Sequence, residues 1–471
     1  MRGAFIMKLT SSQKLTLALI ILAVLLAVTA AVVAFSGGTT GGTKPLFAGS
    51  GKLAGPKLPQ LSFENYPTEE QERELSDITS RVEAFREELP RHAEALAPFF
   101  ERSTRQILSS HGGENQIYSP LNLYMALSMA AEVTGGSTQG QILDLLGAPD
   151  LESLRNQSQG LWLMSSLNLY GGETDLANSI WLNNSIDYKQ ETLDILAGDH
   201  FAESFRGQPG TEEYNKLLQD WTNEKTRNLL EDSANSLQMD PSTLLTLMST
   251  VYFKASWHDM FPEDLTATET FHAPEGDIER DFMHRSVSGD YFRGEHFGAT
   301  SLSFQGGAGM TLLLPDEDSG VDALLADGSD LWDFLSWQAL RRADPNTPEW
   351  EESTWAKIKL ALPKFDVSSN NDLIDPLKSL GMTSAFDPDI SDFSPLMDGD
   401  IPVCISKVNH AARVMVDEEG CTAASYVEIM VAAGAAMGPD EIIDFTLDRP
   451  FIFVIHTTDG MPLFAGVVNR P

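Results

Sequence analysis

Cysteine is scarce in this chain, which has 471 residues but only Cys404 and Cys421. Two cysteines cannot build a disulfide-dense secreted scaffold or a zinc site of four thiolates. We therefore expect two reduced thiols and a fold stabilised by its hydrophobic core, for which a chain of this length is long enough.

Positive charge is scarce as well. The chain has 32 lysines and arginines against 68 aspartates and glutamates, so its net charge is −36. Affinity for nucleic acid depends mainly on Lys and Arg side chains that neutralise phosphates, so this charge argues against nucleic acid as a partner. A basic macromolecule fits better, because the field of the whole chain attracts it from a distance.

The sequence motifs of common enzymes are missing. The chain contains no HExxH, no GxxxxGK[ST] and no GxSxG, and its nine histidines are scattered singly. Those motifs are typical of metal-dependent hydrolysis, phosphate binding and serine nucleophiles. We expect no enzyme activity, no cofactor and no metal. A hydrolase built from residues distant in the sequence is the least favoured alternative.

One long hydrophobic run lies near the N-terminus. Residues 1–14 carry three basic side chains and no acid, and residues 15–35 carry no charge. As a helix, this run spans about 30 Å, the hydrocarbon thickness of a bilayer. It is either a membrane anchor or a cleavable signal peptide, and its length favours the anchor. Because the basic flank stays in the cytoplasm, both alternatives predict an extracellular body, secreted or tethered to the outer face of the cytoplasmic membrane.

Three segments follow the hydrophobic run. Residues 36–60 are rich in Gly and Pro, which predicts a flexible linker. Residues 61–92 carry many acids and few core positions, which indicates an exposed acidic helical extension. Residues 93–471 form the body, with helical patterns mainly in its first half and strand patterns in its second, which is typical of an α+β fold.

Five blocks of the body resemble the serpin family and occur in the family order. A segment of small residues after Glu418-Glu419-Gly420 adds to the resemblance, which covers about residues 93–471 and points to inhibitory, bacterial members. The blocks are IYSPLNLYMALSM at 117–129, VYFKASW at 251–257, LALPKF at 360–365, CISKVNHAARVMV at 404–416 and DRPFIFVI at 448–455.

The resemblance implies both a fold and an activity. The fold is the α+β serpin fold, with mixed β-sheets, about nine helices and an exposed reactive-centre loop at about 418–445. The activity is that of a serine protease inhibitor acting as a suicide substrate. The protease cleaves the loop, and the loop inserts as a strand into the central sheet and distorts the acylated enzyme before it can deacylate. The native state must then be metastable.

The expected hinge of the loop has the pattern of a strand with one buried face. If Cys421 points inward after insertion, Ala423 and Ser425 do as well, and this inward side is uncharged and mostly small. A non-inhibitory serpin acting as a binding or scaffold protein, the alternative function, is expected to carry charged or bulky residues there. A merely flexible loop is the other interpretation. The hinge residues are Glu418, Glu419, Gly420, Cys421, Thr422, Ala423, Ala424 and Ser425.

The position of the scissile bond follows from the family's spacing. Counting from Gly420 as in inhibitory serpins places the bond at Gly434–Ala435. Nearly every neighbouring position is Gly or Ala, which implies an elastase-like or subtilisin-like serine protease rather than a trypsin-like one. We expect the inhibitor to be a monomer. The full window is Ala432, Ala433, Gly434, Ala435, Ala436 and Met437.

The resemblance assigns six further residues to the region where the sheet opens, the shutter and the breach. Four form a polar cluster beneath the opening strands, with the family's usual Ser and Asn exchanged at positions 122 and 249. The others are a tryptophan under the insertion point and a lysine that pairs with Glu418 at the top of the sheet. In this order they are Ser119, Asn122, Ser249, His410, Trp257 and Lys364.

Overall fold

The predicted basic segment 1–14 and hydrophobic run 15–35 lie outside the residues that the structure describes. Within the described part of the chain, no helix is long and apolar enough to cross a membrane. The structure is a computed structural model, and it describes residues 51–56, 69–109, 113–166, 173–399, 402–421 and 441–471.

The described residues form eleven α-helices, where the family resemblance implied about nine. Three of the eleven have six residues or fewer, and such short helices account for the higher number. The helices are α1 Glu69–Glu87, α2 Leu89–Leu108, α3 Pro120–Val133, α4 Gly136–Leu146, α5 Leu151–Ser166, α6 Gln190–Asp199, α7 Glu212–Lys225, α8 Glu231–Asn235, α9 Val321–Leu324, α10 Asp330–Ala343 and α11 Ile374–Ser379.

Sixteen strands are found in the same ranges, so the fold is α+β with mixed sheets, as the sequence predicts. They are β1 Gly51–Ala54, β2 Gln116–Tyr118, β3 Glu173–Asn183, β4 Ala202–Gly207, β5 Leu245–Ser256, β6 Ala267–Ala273, β7 Gly276–Arg293, β8 Phe297–Ser303, β9 Gly309–Pro315, β10 Ser353–Pro363, β11 Phe365–Asp372, β12 Asn409–Val416, β13 Gly420–Cys421, β14 Ile442–Thr446, β15 Phe451–His456 and β16 Pro462–Val468.

The strands are arranged in two sheets. The seven-stranded sheet has the order β1-β4-β3-β5-β13-β12-β11, and the nine-stranded sheet has the order β14-β10-β7-β8-β9-β15-β16-β2, with β6 paired to β7. In the first sheet β3 runs parallel to β4 and antiparallel to β5. The two-residue strand β13 is the only connection between β5 and β12 among the described strands.

Helix α3 lies in the core between the sheets, in contact with β5 of the first and β16 of the second. Ser119 caps its N-terminus by accepting a 3.1 Å hydrogen bond from Asn122 N, and Pro120 is its first residue. A serine cap followed by proline is a typical helix start, because the proline has no N–H to leave unpaired. Thirteen of its fourteen residues are buried, so α3 fixes the positions of both sheets.

The N-terminal extension is attached to the body at two places. Residues 51–54, inside the predicted linker 36–60, form β1, which pairs antiparallel with β4 at the sheet edge. Lys52 Nζ lies 2.7 Å from Glu203 Oε1 at this edge. Helix α1 lies in the acidic extension 61–92, and its Val82 packs against Leu163 of α5. Backbone pairing with an edge strand needs no hydrophobic alternation, so the sequence gives no signal for β1.

Candidate functional site

A short strand between β5 and β12 is the centre of the candidate site. Gly420 and Cys421 of β13 pair with Ser256 and Ala255 of β5, and Cys421 also pairs with Val416 of β12. Paired strands lie about 4.8 Å apart, so β5 and β12 are roughly 10 Å apart here, a gap filled by one strand. We call the space between β5 and β12 the slot. Cys421 is only 1% exposed, so the predicted hinge residues Gly420 and Cys421 lie within the slot.

A tight turn brings Gly420 to the slot. The side chain of Asp417 accepts hydrogen bonds from the backbone N–H groups of Glu419 at 3.0 Å and Gly420 at 3.1 Å. This Asx turn reverses the chain after β12, so the hinge returns antiparallel to it. Asp417 was not among the predicted site residues, although an aspartate three residues before a glycine is a typical turn signal.

Trp257 supports this turn through its backbone and its indole. Its backbone N–H donates to Glu419 O at 2.9 Å, and its indole N–H donates to Asp417 O at 2.9 Å. The indole is fully buried and stacks on Phe304, with ring centroids 4.5 Å apart. The predicted tryptophan therefore lies directly beside the turn that leads into β13.

Glu418, the first hinge residue, is held by two side chains. Lys364 Nζ is 2.8 Å from Glu418 Oε2, and the Thr266 hydroxyl donates to Glu418 Oε1 at 2.8 Å. Burial raises the pKa of Glu418, but the hydrogen bonds from Lys364 and Thr266 outweigh it, so the pKa lies below its ordinary value. The ionised carboxylate thus fixes the hinge to the top of the sheet. Sequence reasoning missed Thr266, which lies 152 residues away in the chain and carries no local signal.

Three of the four predicted cluster residues are linked beneath the slot. The backbone N–H of Ser119 donates to His410 Nε2 at 3.2 Å, and the Ser119 hydroxyl accepts from Asn122 N. These bonds connect β12 to the start of α3. Ser249 lies across the slot on β5, opposite Asn178 of β3. Within the described ranges, neither Ser249 Oγ nor His410 Nδ1 has a hydrogen-bond partner.

Acidification is expected to destabilise the protein through His410. Burial lowers the pKa of His410 to about 4, whereas an unfolded histidine titrates near 6.5. Below pH 6.5 the unfolded chain binds a proton that the folded chain does not, so stability falls with pH until about pH 4. The loss between pH 7 and pH 5 is about 2 kcal/mol. It is measured as a drop in unfolding temperature at a fixed scan rate.

A His410→Gln variant isolates this contribution. Glutamine can accept the Ser119 N–H bond but does not titrate, so its unfolding temperature should fall less between pH 7 and pH 5. The pKa of His456 is also lowered by burial, but it acts equally in both proteins and cancels in the comparison. Equal losses in the two proteins would show that His410 does not carry the pH dependence.

The rest of the predicted site lies outside the described residues. This applies to the hinge residues Thr422, Ala423, Ala424 and Ser425, and to the window 432–437 with its predicted bond at Gly434–Ala435. The described residues on either side of this part are Cys421, which lies in the slot, and Glu441, which precedes β14. The predicted scissile bond therefore stays a prediction.

The fold is an α+β fold in which a short strand, β13, lies between the two parallel strands β5 and β12 of one sheet. Comparison with known proteins gives the family. The family model described as serpin (serine protease inhibitor) matches residues 95–471. The chain therefore belongs to the serpin family.

Known relatives and structures agree with this family. An uncharacterized serpin-like protein of Thermococcus kodakarensis is 30% identical over 367 residues, which cover 76% of this chain and 81% of that protein. Plasminogen activator inhibitor 1 of Sus scrofa is 27% identical over 389 residues, which cover 78% of this chain and 89% of that protein. The native-state crystal structure of tengpin, a thermophilic serpin, matches with a TM-score of 0.69 and 24% identity, covering 80% of this chain and 94% of that one. This last likeness shows the fold.

Proposed function

We propose that this serpin is a suicide substrate of an elastase-like or subtilisin-like serine protease. The observation that supports the proposal is β13. Gly420 and Cys421 are already paired with both strands of the slot, and they lead directly into the segment 422–440. A loop that starts inside the sheet can continue as a strand without a new nucleation step, because the first pairs fix its register.

The chemistry is that of an interrupted peptide hydrolysis. The serine oxygen of the protease attacks the carbonyl carbon of the scissile bond, the C–N bond breaks, and the new amine leaves with the C-terminal fragment. The protease remains as an ester on the N-terminal side of the loop. The freed segment from residue 422 then extends β13 along the slot. Thirteen residues from 422 to 434 span about 43 Å as a strand, so the ester is carried over most of the sheet before water can cleave it.

The choice of protease rests on the loop sequence. The window 432–437 contains only Gly, Ala and one Met, and the whole segment 422–440 contains no Lys or Arg. A specificity pocket for small side chains can bind such a loop. A pocket built for Lys or Arg contains a buried carboxylate, and this loop would leave that carboxylate without a partner. We further propose that the −36 charge attracts a basic protease, and that the body acts outside the cell, secreted or tethered through residues 15–35.

Mixing the full-length protein with pancreatic elastase and with subtilisin tests the proposal. We expect a complex that survives denaturant and a released C-terminal peptide whose mass places its first residue near Ala435. A trypsin-like protease is the control and should form no complex. Cleavage only outside 432–437 would refute the assigned bond, and full cleavage without any complex would refute the inhibitory function.

A further inference from the structure

Two exposed apolar side chains lie together on the nine-stranded sheet. Trp355 of β10 is 57% exposed and Ile442 of β14 is 56% exposed, the highest values among the large hydrophobic residues that the structure describes. Strands β10 and β14 run parallel with Lys357 opposite Ile442, so Trp355 lies two residues along β10 from that pair. Diagonal neighbours on one face are about 7–8 Å apart, close enough for both to touch one partner surface.

Trp355 makes no visible contribution to the core. Alternate residues of β10 point to opposite sides, and Ala356 and Ile358, the nearest residues on the inward side, are fully buried. The outward side carries Trp355, Lys357 and Lys359, and the residue opposite Trp355 on β7 is the exposed Asp290. A large aromatic side chain among charged neighbours exposes apolar area to water without any gain in packing. Aromatic side chains are enriched at protein–protein interfaces, so Trp355 is a candidate contact residue.

The apolar pair is continuous with the reactive loop. Strand β14 begins at Ile442, which follows the segment 422–440 and lies seven residues beyond Ala435. Seven residues span at most about 25 Å. A protease–inhibitor interface covers about 800 Å² on each partner, which corresponds to a disc of about 16 Å radius. Ile442 therefore lies at most about 9 Å beyond the edge of an interface centred on the scissile bond, close enough for a surface loop of the enzyme to contact it.

We propose that Trp355 and Ile442 form a secondary contact site for the target protease, occupied by an apolar patch beside that enzyme's active-site cleft. The inference rests on the inhibitory function proposed above and adds a determinant of which protease is chosen. The window 432–437 offers only small side chains and one methionine, so the loop itself supplies few anchors. Aromatic and aliphatic anchors that become buried at an interface account for most of its binding energy.

A double variant, Trp355→Ala with Ile442→Ala, tests the contact site in the full-length protein. The second-order rate constant of inhibition is measured with pancreatic elastase and with subtilisin. For the protease that the unmodified protein traps faster, we expect the double variant to have a rate constant lower by on the order of tenfold. This is the effect typical of losing an aromatic anchor. The stoichiometry of inhibition and the cleaved bond should not change, because both residues lie outside the slot.

The matched control is Leu53→Ala with Ile390→Ala. These side chains are 51% and 54% exposed, but Leu53 lies on β1 at the edge of the other sheet and Ile390 lies on the segment that packs against α4. The control should leave the rate unchanged. Equal rates for the unmodified protein and the Trp355/Ile442 variant overturn the contact site and leave the inhibitory function standing. A changed stoichiometry also overturns it, since the effect would then lie in insertion. No complex with the unmodified protein overturns both.

Discussion

Replacing Ala423 by arginine is expected to turn the inhibitor into an ordinary substrate. Continuing the register of β13 along the slot brings residue 423 between Phe253 of β5 and Val414 of β12, which are 3% and 2% exposed. An arginine there would bury an unpaired guanidinium, at a cost of several kcal/mol. Insertion then becomes slower than hydrolysis of the ester. The measurement is the stoichiometry of inhibition, which should rise by at least about tenfold, since 1.4 kcal/mol is a factor of ten.

Thr422→Arg is the matched control for this experiment. The same register brings residue 422 between Lys254 and Met415, which are both partly exposed, on the opposite face of the sheet. An arginine at this position can extend its charged end into water, so the variant should keep most of its trapping. Both variants should be cut at the same bond. If Ala423→Arg traps the protease with unchanged stoichiometry, the loop does not insert in this register and the inhibitory function is wrong.

The elements that sequence patterns predicted are those with local signals. Ser119 and Pro120 are a typical N-terminal cap and first residue, and α3 starts there. Gly147 is a typical C-terminal cap of α4, and its φ of 68° lies in the left-handed region that favours glycine. The apolar run at 246–253 is typical of a buried strand, and β5 covers Leu245–Ser256. In each case the physical cause lies within a few residues of the element.

Contacts between distant residues had no such local cause. Lys364 and Glu418 lie 54 positions apart, and only the family resemblance suggested the pair. Thr266 and Asp417, which complete the same corner, went unnoticed because hydroxyls and carboxylates are common on any surface. Strand β1 was missed since four residues held by backbone bonds to an edge strand need no particular side chains. The entry of the hinge into the slot likewise depends on the spacing of β5 and β12, which no local pattern encodes.

The position of β13 between β5 and β12 depends on Gly420, and a Gly420→Ala substitution is expected to displace β13 from the slot. A Cβ atom at position 420 would lie 2.2 Å from Ala255 O and 2.7 Å from Ser256 Cα, both backbone atoms of β5. Strand β5 cannot easily yield, because it is paired with β3 along ten residues. The cheaper response is for β13 to leave the slot, which exposes the thiol of Cys421, now 1% accessible. Labelling of this thiol by a thiol reagent should therefore become faster.

The size of the effect and its control follow from the same geometry. Overpacking of this kind costs on the order of 1–3 kcal/mol, which corresponds to an increase in the labelling rate of about fivefold to 140-fold. The experiment uses a Cys404→Ser background, because Cys404 is partly exposed and would react as well. Gly289→Ala is the matched control, since a Cβ there meets nothing within 4 Å, and it should leave the labelling rate unchanged. An unchanged rate in Gly420→Ala would mean that β13 stays seated despite the added methyl group. Pairing between β13 and the slot would then be strong enough to displace β5, and the hinge would be a fixed part of the sheet rather than the movable start of insertion.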